Sequence, residues 1–132
     1  MALFAWSEDY AVAVPEIDRQ HRQLFQYAAR LHAAMLAGQA KEALAPILEN
    51  LISYTRSHFA TEEALMRRHR YPAYGAHKSE HDALTQKVLA LQSEFEFGRA
   101  ALTLELMDFL KQWLARHILG TDRLLGAHLA QG

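Results

Sequence analysis

The sequence predicts an all-α protein, an up-down-up-down four-helix bundle preceded by an extended N-terminal arm. Three observations predict it. Apolar residues recur every three to four positions along four long stretches, the spacing that gives a helix one buried face. Gly38, Tyr71-Pro72 and Gly98 break the stretches and leave only short links, and helices joined by short links run antiparallel. No period-two alternation, the mark of a half-buried strand, competes with this pattern.

Residues 1–17 read as the arm, with Pro15 delaying any helix and Trp6 and Tyr10 packed across the body. Asp18 is the expected N-cap of the first helix. Its inner face carries His21, Leu24, Phe25, Ala28, Leu31 and Met35 up to the stop at Gly38. The second helix begins between Lys41 and Pro46, since proline is tolerated only in a first turn. It runs to Arg67 with Leu51, Tyr54 or Thr55, His58, Glu62 and Leu65 inward. The third, from Tyr74 to Phe95, aligns His77, His81, Leu84, Val88, Leu91 and Phe95. A fourth starts near Ala101 and buries Leu106, Phe109, Leu110, Trp113 and His117. It is interrupted near Gly120 and followed by a short apolar tail.

A chain of 132 residues suits a single domain over 1–132 with a real core. Hydrophobic residues at 51% argue against intrinsic disorder, and a net charge of −1 offers no basic footprint for nucleic acid. No apolar run approaches the roughly 18 residues of a membrane span. The N-terminus lacks a basic start and carries Glu8 and Asp9 inside its apolar stretch, which makes a poor signal peptide. Cysteine is absent, so disulfides and thiolate ligands are removed and a cytoplasmic address fits. A monomer is the expected state, although Trp6 and the apolar tail over 124–129 leave self-association open.

Histidine is what stands out, with eight in the chain. Each predicted helix puts one or two on its apolar face: His21, then His58, then His77 and His81, then His117. His58 and Glu62 are four apart, as are His77 and His81, so each pair projects from one face one turn apart. Asp122 follows His117 by five, which on an ideal helix lies about 140° away from it. Its use as a ligand therefore requires the helix to bulge near Gly120. A lone histidine on an apolar face is usually a hydrogen-bonded core residue. Five with two carboxylates are different, because burying them without a shared partner costs several kcal/mol in total. A metal satisfies them all. Seven ligands exceed what one ion accepts with a position left open, so two ions are implied. A tetrahedral zinc site would leave the set underused. Imidazole with bridging carboxylates suits iron, with copper, manganese or a mixed pair left open by spacing alone. His32, His69 and His128 fall off the pattern, and Glu63, Glu80 and Asp82 read as solvated.

These motifs, I-D-R-Q-H-R-Q-L-F over 17–25, H-F-A-T-E-E-A-L-M over 58–66, Y-P at 71–72, H-K-S-E-H over 77–81 and W-L-A-R-H-I-L-G-T-D over 113–122, resemble the hemerythrin family. The resemblance is to its single-domain bacterial branch, the bacteriohemerythrins, and with Trp6 it spans nearly the whole chain. It implies a non-haem di-iron centre. His77, His81 and His117 would fill one iron, while His21 and His58 bind the other and leave it open to O2. Glu62 and Asp122 would bridge, together with an oxo or hydroxo group.

Imidazoles dominate this set, and neutral donors compensate metal charge less than carboxylates do. High-valent iron is then harder to reach, and reversible binding of O2 is favoured over its activation. Leu24, Phe25, Phe59, Trp113, Leu114 and Ile118 are the candidate walls of a dry O2 pocket. The expected function is therefore O2 carriage, storage or delivery to an oxygen-consuming enzyme, without catalysis by this chain. The alternatives are sensing of O2, NO or redox state through a partner protein, and a minor di-iron peroxidase or NO-handling activity in which Tyr54 would have a small claim.

Overall fold

The computed structural model describes residues 4–98 and 101–131. After a 3-10 turn at Glu8–Tyr10 the chain forms α1 (Pro15–Leu36), α2 (Lys41–Arg68), α3 (Tyr74–Glu96) and α4 (Leu104–Arg116). A π-helical turn (His117–Asp122) carries α4 directly into α5 (Arg123–Gln131). Among the described residues there is no strand. The architecture is an all-α four-helix bundle, with α4, the π turn and α5 acting as its fourth rod.

Antiparallel packing is visible at both ends. Lys41 Nζ, at the start of α2, donates to the Glu96 carbonyl at the end of α3, 2.6 Å away. At the opposite end Arg67 donates to the Tyr74 hydroxyl at 3.1 Å. Gly38 and Gly98 close α1 and α3 with φ of 71° and 74°, the left-handed conformation that only glycine adopts without cost. Thr103 caps α4 by accepting the Leu106 N–H.

Several boundaries differ from the sequence expectation. Pro15 does not delay α1 but begins it, because the first helical position needs no N–H and favours proline's fixed φ. Asp18 is therefore inside the first turn. Its carboxylate accepts the Val12 N–H at 2.8 Å and ties the arm to the helix. Pro46 sits in the second turn of α2 rather than the first. Only the bond to the Glu42 carbonyl is lost, and both residues are exposed, so water replaces it. The inner face of α4 keeps the expected Leu110 and His117 but turns toward Met107 and Leu114 at its edges. Met107, Leu110 and Leu114 are buried, whereas Phe109 is exposed beneath the Lys87 ammonium. The short apolar tail expected after Gly120 is helical, and it buries Leu125.

The arm lies across the bundle. Phe4 and Val12 are buried, Tyr10 packs edge-on to Phe25 at 5.0 Å, and the Arg22 guanidinium covers Trp6. Gly126 of α5 makes this crossing feasible, since a Cβ there would lie 2.1 Å from the Val12 carbonyl oxygen. Backbone has to move to relieve such a contact. Gly126→Ala is thus expected to destabilise the fold by about 1–3 kcal/mol despite alanine's better helix propensity. A denaturant titration that finds the variant as stable as its parent would count against this packing.

Candidate metal centre

The bundle positions its polar residues in one layer. His21 comes from α1, His58 and Glu62 from α2, His77 and His81 from α3, and His117 and Asp122 from the π turn. All seven are buried, with Glu62 and Asp122 fully inaccessible. The π turn is what brings Asp122 in. Its i→i+5 hydrogen bonds widen the helix, so the fifth residue after His117 returns to the same face.

The ligand atoms fall into two groups that share both carboxylates. Glu62, His77, His81, His117 and Asp122 form one, and His21, His58, Glu62 and Asp122 the other; within each the candidate ligand atoms lie within 4.8 Å of one another. Glu62 places Oε1 3.0 Å from His81 Nε2 and Oε2 3.2 Å from His58 Nε2. Asp122 places Oδ1 3.0 Å from His77 Nε2 and 3.1 Å from His117 Nε2, and Oδ2 3.0 Å from His21 Nε2. Each carboxylate thus turns one oxygen to each group.

Three histidines are held from behind. His58 Nδ1 lies 2.7 Å from the Gln20 amide oxygen, His81 Nδ1 2.9 Å from Glu63, and His117 Nδ1 2.9 Å from Glu80. Each acceptor takes an N–H, so the lone pair of each neutral ring is on Nε2, facing the centre. With both rings neutral, His81 and His117 would point two lone pairs at each other across 3.1 Å, a contact that a cation or a proton between them relieves. Nε2 of His21 and His58, Oε2 of Glu62 and both oxygens of Asp122 are buried without a hydrogen bond. Converging lone pairs and orphaned carboxylate oxygens need cations, and two groups of this make-up fit two metal ions.

The electrostatics agree. Burial alone would lower the His117 pKa, but the close Asp122 and Glu62 carboxylates outweigh it and raise it to about 10. The same balance raises His21 and His77 to about 9. Burial opposes ionisation of Glu62 and Asp122, yet the surrounding histidines hold both carboxyls well below the usual range. Without metal, protons occupy the place of the ions.

Glu63 and Glu80 are thus not simply solvated, and sequence reasoning missed them together with Gln20. The signal was present. Each adjoins a ligand on its own helix (Gln20 before His21, Glu63 after Glu62, Glu80 before His81) yet serves a histidine of the next helix. Asp82 remains on the surface, paired with Lys78. His32, His69 and His128 lie outside the cluster.

The six expected wall residues divide. Phe59 stacks on His81 at 3.8 Å and Trp113 on His117 at 4.6 Å, both against the three-histidine group. Leu24 and Leu114 line an apolar cavity of roughly 30 Å³ together with Thr55 and Leu84. Those four residues are each three positions from His21, His117, His58 and His81, which puts the cavity one turn from the ligands. Phe25 and Ile118 are buried. Tyr54 turns toward Tyr27, 5.1 Å between rings.

Fold and cluster define a four-helix protein that holds a pair of metal ions on histidines and shared carboxylates. Comparison with known proteins agrees. Residues 12–129 match the hemerythrin HHE cation binding domain. The chain is 35% identical to a bacteriohemerythrin of Stenotrophomonas maltophilia (strain R551-3), covering 99% of this chain and 87% of that protein. It is 34% identical to one from Methylococcus capsulatus, covering 98% and 99%. Wild-type crystalline hemerythrin superposes with a TM-score of 0.90 at 32% identity over 95% of this chain and 96% of the other. A leucine-to-tyrosine mutant of hemerythrin gives 0.93, at 32% identity over 98% of each chain. The chain belongs to the hemerythrin family, whose cofactor is a pair of iron ions, and the buried cluster is fit to hold them.

Proposed function

We propose that His77, His81 and His117 hold one iron, that His21 and His58 hold the other, and that Glu62 and Asp122 bridge them. The chain then binds O2 reversibly, for carriage, storage or delivery. The observation that carries this reading is the inequality of the two groups. Both share the same carboxylates, but one has three imidazoles and the other two, which leaves the second with room for an outside ligand. Bound iron supplies the reversible electron donation that O2 capture requires.

The protein's part is to keep that donation reversible. Neutral imidazoles outnumber carboxylates five to two and so restrain deeper oxidation. Buried Leu24, Leu114 and Ile118 exclude water, and an apolar cavity beside the ligand layer stays dry. No described helix is long and apolar enough to cross a membrane.

Admitting water should shorten the lifetime of the oxygenated protein. Leu114→Asn or Ile118→Thr is expected to speed oxidation in air by about tenfold, the effect of ~1.4 kcal/mol on a barrier. The decay of visible absorbance at fixed temperature measures it. An unchanged rate in both variants would remove these residues from the O2 pocket.

A further inference from the structure

The π turn is the least self-sufficient part of the site. π-helix accounts for well under 1% of residues in proteins, yet here it alone aligns Asp122 with His117. Gly120 in its middle adds backbone freedom rather than restraint. Something outside the turn has to hold it.

Glu80 is placed to do so. One carboxylate on α3 accepts from both ends of the turn. Its Oε1 lies 2.9 Å from His117 Nδ1, and the Thr121 hydroxyl donates to Oε1 at 2.9 Å and Oε2 at 3.0 Å. His117 opens the turn, and Thr121 immediately precedes Asp122. The contact thus spans the inserted residue.

We propose that Glu80 is a positioning residue that clamps the π turn to α3, so that His117 Nε2 and the Asp122 carboxylate are presented to the metal centre together. Two consequences follow from one group. The carboxylate fixes the ring orientation of His117 and leaves its Nε2 lone pair free for metal. Through Thr121 it also holds the backbone that would otherwise relax toward ordinary helix, carrying Asp122 off the face. The first is a charge effect transmitted by the imidazole, and the second is purely geometric. Gln20 and Glu63 each back one histidine without touching the π turn. Glu80 alone among these three joins a ligand to the bulge.

The proposal rests on the metal reading above, so its test needs readouts of both kinds. Iron release to a ferrous chelator and the reduction potential are compared among the parent, Glu80→Ala, Glu80→Gln and Thr121→Val. Hydrogen exchange across 117–122 is followed in the same proteins. Glu80→Ala should release iron roughly 10–100-fold faster, the usual effect of losing a partner behind a metal-bound histidine. Thr121→Val keeps the charge and loses the tether. It should exchange faster over 117–122 and release iron faster, with its potential unchanged. Glu80→Gln loses the charge but keeps an acceptor, and should shift the potential upward with slower iron loss than Glu80→Ala. Parental release and exchange in both Glu80→Ala and Thr121→Val would overturn the clamp. A parent protein without iron would sink the metal reading instead, and the exchange comparison would still judge the clamp.

Discussion

An Asp122→Ala chain is expected to hold less than one iron where its parent holds about two. Asp122 has one oxygen toward His77 and His117 and the other toward His21, so it belongs to both ligand groups. Removing it deprives both ions at once, whereas loss of any single histidine deprives one. The cost extends to the metal-free protein. His21, His77 and His117 owe their raised pKa values in part to this carboxylate. Breaking a buried charge pair by removing one partner typically costs 3–5 kcal/mol, a large share of the roughly 5–15 kcal/mol that stabilises a domain. Asp122→Asn preserves shape and separates the two effects. It should fold and still fail to retain two irons. Metal analysis of purified Asp122→Asn showing the parental iron content would remove Asp122 from the ligand set.

The second large effect is in pH. In the metal-free protein His21 and His77 titrate near 9 and His117 near 10, all above the ordinary histidine value of 6.5. A raised folded-state pKa contributes stability that is fully present below the unfolded value. It is lost as pH rises through the folded value. Metal-free stability should therefore decline from about pH 7 toward pH 10. Glu62 and Asp122 are shifted downward, so their contribution is present above the ordinary carboxylate range and is lost as pH falls below it. Metal replaces the protons, so loading at neutral pH should release protons from the raised histidines. Calorimetry in buffers of different ionisation enthalpy counts them. The loaded protein should lack the alkaline decline, and binding should weaken in acid. A count near zero at neutral pH would mean that the site is not held open by protons.

The bundle and the seven converging residues were legible because they follow helical period. A histidine in register with the apolar positions of its helix faces the centre of the bundle. Even the five-residue step from His117 to Asp122 carried its own message, since a regular helix would have turned the aspartate away. What period does not report is the environment of a single position. Pro15 and Pro46 read as breakers, yet the first lacks only an N–H that α1 does not use, and the second interrupts a bond at an exposed edge. One edge of the α4 face was misplaced because Phe109 is large and apolar yet exposed, while Met107 and Leu114 join the expected Leu110 inside. The acceptors behind the histidines were hidden for a geometric reason. A residue next to a ligand projects about 100° from it on its own helix. On that helix it looks like part of the outer surface, and only packing aims it at the neighbouring rod. Gln20, Glu63 and Glu80 are all of this kind.

The layer from His21 to Asp122 is expected to hold two irons and to bind O2 reversibly. Iron content per chain, measured with visible absorption in air, after oxygen removal and after readmission, tests it most directly. About two irons, with a charge-transfer band that fades without O2 and returns with it, is the predicted result. Two irons with an irreversible change would contradict reversible binding and favour sensing or catalysis. Zinc, or a folded chain that takes up no metal, would contradict the assignment of the centre itself.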